Sequence, residues 1–112
     1  MLTPIDLAYR FLDIFFSGRD FDRLFDILAD DLKFSGPFCE FTSAQEYVAS
    51  IEVQPPIECT YQVLYVFEGA SVVNLIYEFS KPETQAKISQ LFEVKDGKIV
   101  TILLIFDSAQ FA

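Results

Sequence analysis

Asp107 is the residue of this sequence best suited to acid–base chemistry. It follows the apolar run Ile102–Phe106 at the end of the final predicted strand. If it faces a cavity, burial would disfavour the ionised carboxylate and make proton transfer near neutral pH easier. An aspartate at a strand end can also lie in the solvated rim of a fold or cap a loop backbone. The sequence leaves the catalytic and the structural interpretation of Asp107 open.

Tyr77 and Gln90 are candidates for hydrogen bonding to a ligand. A hydroxyl and an amide on one wall of a pocket could donate to a carbonyl or enolate oxygen. Thr101 would add a third polar group to the same wall. The alternative is that Tyr77 belongs to the core with its hydroxyl at the edge, and that Gln90 is a buried amide with satisfied hydrogen bonds.

The sequence gives little indication of a metal or cofactor site. Cys39 and Cys59 lack CxxC spacing, and the sequence has no histidine to join them, which argues against a zinc site. The pair Asp30-Asp31 resembles a metal or acid pair, but it more simply ends a helix and solvates the following turn. We therefore predict no metal and no cofactor.

The dipeptide Asp96-Gly97 fixes the predicted arrangement of the last strands, because Asp-Gly is typical of a two-residue hairpin turn. Counting outward from this turn pairs Val94 with Ile99, Phe92 with Thr101, and Gln90 with Leu103. The turn at Pro82-Glu83 predicts how the preceding strand pairs with the strand that follows it, to within one residue. The predicted inner face comprises Leu75, Tyr77, Phe79, Ile88, Gln90, Phe92, Val94, Ile99, Thr101, Leu103, Ile105 and Asp107.

The opposite face of the final hairpin carries an apolar stripe of Leu91, Ile102, Leu104 and Phe106. A strand that is apolar on both faces must be covered on both. Helices in so short a chain can cover one face, so we predict that this stripe forms a homodimer interface.

The remaining elements predict an α+β fold with N-terminal helices packed on a strongly curved, mainly antiparallel sheet. Thr3-Pro4 begins a first helix that ends at Ser17-Gly18, and a second helix follows to about residue 28. A short strand spans residues 32–35, and Ser43–Glu46 is a capping box that starts a third helix. Strands are predicted at 57–68, 70–80, 84–95 and 98–107, with the faces of 57–68 left open.

The predicted pocket between these layers is apolar and aromatic, in keeping with 13 Phe and 5 Tyr in 112 residues. The first helix would contribute Phe11 and Phe15. The inner sheet face would contribute the ligand-binding residues Tyr77, Gln90, Phe92, Thr101 and Leu103, with Asp107 as the catalytic group.

A net charge of −9 makes nucleic acids and anionic membranes improbable partners. No apolar run reaches the length of a membrane span, and no leader-like segment stands at the start. We therefore expect a soluble, cytoplasmic protein with reduced thiols.

Three stretches carry a family resemblance: Ser17–Asp22, Leu28–Pro37, and Phe92–Ile99 with its continuation to Asp107. In this order and spacing they resemble the SnoaL-like branch of the nuclear-transport-factor-two-like superfamily. The resemblance implies one domain over residues 1–112, a cone-shaped sheet around an internal pocket, and commonly a homodimer through the sheet. It implies no single chemistry, because members include isomerases, polyketide cyclases, hydratases, epoxide hydrolases and binding proteins.

The sequence departs from the family's active members at most catalytic positions. Ketosteroid isomerases have their general-base aspartate directly before the proline of the first turn, where this sequence has Gly36. Their oxyanion tyrosine lies on the first helix, where this chain offers Phe11 or Leu12. Dehydratase-like sites use histidine, and epoxide-hydrolase-like sites use an interior Asp-Arg-Asp set, whereas the arginines here lie on the first two helices or their link. SnoaL-like cyclases use a late inner-face carboxylate, a role that Asp107 fits.

Two functions follow from this resemblance. The first is a dimeric pocket protein that binds an apolar small molecule, favoured by the loss of every family catalytic position except Asp107. The alternative is a cofactor-free isomerase, cyclase or dehydratase that uses Asp107 as its acid and base.

Overall fold

The computed structural model describes residues 2–111, and its first helix, α1 (Pro4–Ser17), is capped as predicted. The Thr3 hydroxyl accepts from the Asp6 amide, and the Asp6 carboxylate accepts from the Thr3 amide. Gly18 ends the helix at φ 71°, a left-handed conformation in which its amide donates to the Phe15 carbonyl. These caps fix the length of the helix that supplies Phe11 and Phe15.

The second predicted helix is a short 3₁₀ helix, Phe21–Asp26, that ends before Leu28. Leu28 instead begins strand β1 (Leu28–Ser35), which runs parallel to the last strand and pairs Leu28 with Ile99. The Ile99 amide donates to the Ile27 carbonyl at 2.8 Å, so pairing with a distant strand ends the helix. The prediction of a strand at residues 32–35 was therefore four residues short.

The middle of the chain contains the predicted third helix and, before it, a short strand that was not predicted. A two-residue strand, β2 (Glu40–Phe41), precedes helix α2 (Ala44–Val53). The Ser43 hydroxyl accepts from the Glu46 amide, and the Glu46 carboxylate accepts from the amide and hydroxyl of Thr42. Residues Tyr47, Val48 and Ile51 of α2 face the core.

Four antiparallel strands follow α2: β3 (Thr60–Glu68), β4 (Val72–Lys81), β5 (Thr84–Lys95) and β6 (Lys98–Ile105). A 3₁₀ helix, Ser108–Phe111, follows β6. The six strands form one sheet in the order β2-β1-β6-β5-β4-β3, in which only β1 and β6 are parallel neighbours. The predicted α+β class and the mainly antiparallel sheet are confirmed.

The strand register agrees with prediction up to one β-bulge. Tyr77 lies opposite Ile88, Leu75 lies opposite Gln90, and Val94 lies opposite Ile99, as the turns predicted. Beyond Val94, however, Glu93 pairs with Thr101, which leaves Val100 as an extra residue on β6. A one-residue insertion reverses the faces of every side chain that follows it.

The predicted faces of β6 were therefore wrong from Thr101 onward. Ile102 is fully buried, and Leu104 and Phe106 pack against the core, whereas Thr101 pairs on the outer face and Leu103 and Ile105 are exposed. Ile102, Leu104 and Phe106 therefore face the interior and cannot form the predicted dimer interface.

The core lies between α1, α2, the first 3₁₀ helix and the inner face of the sheet. Across residues 2–111, neither helix has the length and apolar run that a membrane-crossing helix requires.

Candidate functional site

A cavity of about 630 Å³ lies between the helices and the inner face of the sheet. Its volume falls within the range of about 300–1,000 Å³ that is typical of small-molecule sites. Aromatic side chains make up much of the wall: Phe11, Phe15, Phe16, Phe34, Phe38, Phe41, Tyr47, Tyr77, Phe79, Phe106 and Phe111. The other lining residues are Cys39, Ser50, Ile51, Gln54, Pro55, Pro56, Ile57, Cys59, Lys81, Ile88, Gln90 and Leu104.

Tyr47 is the central aromatic residue of the helical wall. Its ring stacks on Phe34 at 4.7 Å between centroids and on Phe11 at 6.0 Å, and Phe41 meets it at 5.9 Å. Packing against these three rings holds the Tyr47 side chain in one orientation. Burial raises the pKa of Tyr47 well above its usual value, with smaller contributions from Tyr77 and Cys39, so its hydroxyl is neutral and protonated.

Tyr77 and Gln90 form the polar part of the sheet wall. The Tyr77 hydroxyl donates to Oε1 of Gln90 at 2.7 Å, and both residues are 3% exposed. Burial, followed by the neighbouring Tyr61, raises the pKa of Tyr77 far above its usual value. The pair is therefore a neutral hydrogen-bonded unit in apolar surroundings.

Aromatic rings also gather beside the C-terminal 3₁₀ helix. Phe111 contacts Phe106 at 4.8 Å and Phe79 at 5.5 Å between centroids, and Phe38 contacts Phe106 at 5.4 Å. The Lys81 ammonium lies 5.5 Å from the Phe111 ring, a cation–π distance. The exposed side chains of Phe38 and Lys81 place this cluster where the cavity meets solvent.

Both cysteines line the cavity as free thiols. Burial raises the pKa of Cys39, and it also raises that of Cys59, where the positive charge of Lys81 acts in the opposite direction. A raised pKa disfavours the thiolate and makes each thiol a weaker nucleophile at neutral pH.

The structure brings together four of the predicted pocket residues: Phe11, Phe15, Tyr77 and Gln90. Phe92 points inward as predicted but is fully buried against Phe11, at 5.4 Å, and lies behind the cavity wall.

Thr101 and Leu103 were predicted to line the pocket and do not, because the bulge at Val100 turns them outward. The same bulge brings Leu104 and Phe106 into the wall, and they were missed because the period-2 pattern of an uninterrupted strand assigns them to the other face.

Asp107 does not face the cavity, so the prediction of its placement was wrong. Its side chain is exposed, and Oδ1 accepts from the Ala109 amide at 3.0 Å, which caps the start of the last 3₁₀ helix. It borders a separate shallow hollow with Glu78, Gln85 and Lys87 on the outer side. Asp30 and Asp31 are exposed on β1, and residues 2–111 contain no group of three potential metal ligands.

The cavity lining therefore combines aromatic rings with hydrogen-bonding groups that are mostly neutral. Within the described part of the chain, the lining offers hydroxyl, amide and thiol groups and one lysine, but no carboxylate, imidazole or guanidinium. Such a wall can bury an apolar ligand and hydrogen-bond to a neutral polar group on it.

Searches with protein-family profiles and among curated proteins find no match. Solved structures match over nearly the whole chain. An NTF2-like protein of unknown function from Cytophaga hutchinsonii superposes with a TM-score of 0.84 at 22% identity, covering 99% of this chain and 96% of that one. A member of the SnoaL-like family from Agrobacterium tumefaciens superposes with a TM-score of 0.77 at 14% identity, covering 96% and 99%.

An LEH-like epoxide hydrolase from M. tuberculosis superposes with a TM-score of 0.73 at 18% identity, covering 93% of this chain and 82% of that one. The chain thus has the cone-shaped α+β fold of NTF2-like proteins. The fold that the sequence motifs implied through their resemblance to SnoaL-like, NTF2-like proteins is confirmed. Because this fold hosts unrelated activities, the function must be argued from the cavity.

Proposed function

We propose that this protein binds an apolar small molecule in the cavity between α1, α2 and the sheet. The observation that carries the proposal is a cavity of about 630 Å³ whose wall is mainly aromatic. Burying apolar ligand surface contributes roughly 25 cal/mol per Å², so such a wall favours binding even without charged groups.

The alternative function, a cofactor-free enzyme that uses Asp107 as acid and base, receives no support from the position of this residue. Asp107 lies outside the cavity wall, and its carboxylate is engaged with the Ala109 amide. The lining within residues 2–111 supplies no other carboxylate that could replace it.

Fluorescence of N-phenyl-1-naphthylamine, a neutral dye that brightens in apolar sites, tests the proposal. We expect saturable binding by the wild type and its loss in Ile88→Trp, because Ile88 is a cavity-wall residue and a larger ring there fills the space. Val53→Trp is the matched control, since Val53 is exposed on α2 and lies outside the lining. No binding by the wild type, or equal binding by both variants, would contradict the proposal.

We further propose that the protein is a homodimer through the outer sheet face, with a corrected set of residues. Tyr65, Phe67, Leu103 and Ile105 are exposed there, and Tyr65 and Phe67 stack at 6.4 Å. Exposed aromatic and aliphatic side chains on one continuous face are typical of an interaction surface. A standard interface needs about 800 Å² per subunit.

A further inference from the structure

Two buried hydrogen-bond donors of the cavity have no protein partner. Tyr47 is 3% exposed, and its hydroxyl makes no hydrogen bond within the described chain, although its carbonyl accepts from Ser50. Gln90 is equally buried, and its Oε1 is occupied by Tyr77, whereas its Nε2 makes no hydrogen bond to residues 2–111. Among the described residues 2–111, no side-chain nitrogen or oxygen that is sealed from solvent lacks a partner, so both groups must reach open space. The open space that both residues line is the cavity.

The orientation of the Gln90 amide is fixed by its partner. A separation of 2.7 Å is the usual length of an O–H···O bond, whereas N–H···O bonds are about 0.2 Å longer. This length agrees with donation by Tyr77 to Oε1, so the Nε2 hydrogens, which have no partner within residues 2–111, are what Gln90 can offer to a ligand in the cavity that it lines. Gln90 thus offers donors alone to a ligand, and Tyr47 offers a hydroxyl that is protonated at neutral pH.

Building on the proposed function, we propose that the bound molecule is a neutral carbonyl compound with an apolar frame, its oxygen accepting hydrogen bonds from the Tyr47 hydroxyl and the Gln90 amide. A carbonyl oxygen has two lone pairs and accepts from two donors. A buried donor without an acceptor is destabilising, so a ligand that supplies the acceptor binds more tightly than a pure hydrocarbon of the same shape.

A carboxylate ligand matches this site less well. Burying a carboxylate requires a compensating charge, and the donors beside Tyr47 and Gln90 are neutral. The lysine of the lining, Lys81, is exposed and lies over the Phe111 ring. A carboxylate would therefore be drawn to Lys81, away from the two unpartnered donors.

The test compares two probes that differ in one oxygen. The first is 6-propionyl-2-(dimethylamino)naphthalene, a fluorescent ketone whose emission shifts to the red when its carbonyl accepts a hydrogen bond. The second is its 6-propyl analogue, which lacks the carbonyl. We expect Tyr47→Phe to weaken ketone binding about tenfold, the effect of one hydrogen bond of about 1.4 kcal/mol, and to shift the bound emission to the blue. Binding of the propyl analogue should change less than about twofold.

The second variant is the double substitution Tyr77→Phe/Gln90→Leu, in which no hydroxyl loses its partner. Like Tyr47→Phe, it should weaken binding of the ketone more than binding of the propyl analogue. Tyr61→Phe is the matched control, because the Tyr61 hydroxyl donates to Asp13 and lies outside the cavity lining. Tyr61→Phe should leave the binding of both probes unchanged.

Equal effects of Tyr47→Phe on both probes, or no effect on the ketone, would overturn the carbonyl assignment while leaving the proposed binding function intact. Tighter binding of a naphthyl carboxylate that is lost in Lys81→Gln would also overturn it. If neither naphthalene probe nor N-phenyl-1-naphthylamine binds the wild type, the proposed function fails, and the carbonyl assignment fails with it.

Discussion

Tyr77 on β4 donates a 2.7 Å hydrogen bond to Oε1 of Gln90 on β5, across the inner face of the sheet. The two residues are diagonal neighbours, since Leu75 lies directly opposite Gln90 and Ile88 lies directly opposite Tyr77. The bond satisfies the Tyr77 hydroxyl and Oε1 of Gln90 in a mainly aromatic wall, and it leaves the Gln90 amide donors available to the cavity. The stability of the sheet and the polarity of the cavity therefore depend on the same bond.

Tyr77→Phe should lower the free energy of unfolding by about 1–3 kcal/mol, because it leaves the buried Oε1 of Gln90 without a donor. The double variant Tyr77→Phe/Gln90→Leu should be more stable than Tyr77→Phe alone, since it removes both polar partners. Urea unfolding followed by circular dichroism measures both values. Additive losses in the double variant would show that the two side chains do not act as a unit.

Asp107→Asn should leave dye binding unchanged and lower the free energy of unfolding by less than about 1 kcal/mol, as for exposed positions. The reason is that Asp107 is exposed, and its contact is a cap to the Ala109 amide, which an asparagine oxygen can also make. Titration with N-phenyl-1-naphthylamine and urea unfolding measure the two effects. A several-fold change in dye affinity would show that Asp107 takes part in ligand binding.

If the protein forms the proposed dimer, Leu103→Glu should convert it to a folded monomer, because Leu103 is exposed on the proposed interface and a charge there opposes association. Leu104→Glu, one residue further, should instead lower stability or dye binding, because Leu104 lines the cavity. Light scattering gives the mass, for which the monomer value is 12.8 kDa. Val53→Glu, on the exposed face of α2, is the control that should remain dimeric and bind dye. A wild-type protein of monomer mass would refute the interface.

Stability should fall at alkaline pH because three tyrosines keep their protons in the folded state. Burial and the Asp13 hydrogen bond raise the pKa of Tyr61 to about 12, and burial raises those of Tyr47 and Tyr77 as well. Above about pH 10 the unfolded chain loses these protons while the folded protein retains them, so the free energy of unfolding decreases as pH rises. The contribution of Tyr61 is complete below pH 10 and disappears as pH rises toward 12.

Urea unfolding at about pH 9 and about pH 11 measures this loss, and absorbance near 295 nm follows the ionisation. Tyr61→Phe should show a smaller decrease between the two pH values than the wild type. An equal decrease in the variant would show that Tyr61 does not contribute.

Several elements of the fold are determined by neighbouring residues and could be predicted from the sequence. Thr3 and Asp6 cap α1, Ser43 caps α2, and Asp96-Gly97 forms a turn with both residues at positive φ. The register between β4 and β5 follows from the same kind of local information. These features require contacts within a few residues, so the local sequence suffices to specify them.

The faces of β6 depend on residues far away in the chain. The Val94 amide donates to the Ser71 carbonyl, and the Ile99 amide donates to the Ile27 carbonyl. Beside these bonds Val100 bulges out of the ladder, and no pattern within the hairpin marks this position.

Because side chains alternate with a period of two, that single inserted residue moved Leu104 and Phe106 into the cavity wall and turned Thr101 and Leu103 outward. Tyr47 follows the predicted cap of the third helix, and only the tertiary packing of this helix against Phe11, Phe34 and Phe41 places Tyr47 in the cavity wall. Local sequence patterns are sufficient to predict the α+β fold and the aromatic character of its interior. They do not predict which polar groups face the cavity, because long-range strand pairing sets the register that orients those groups.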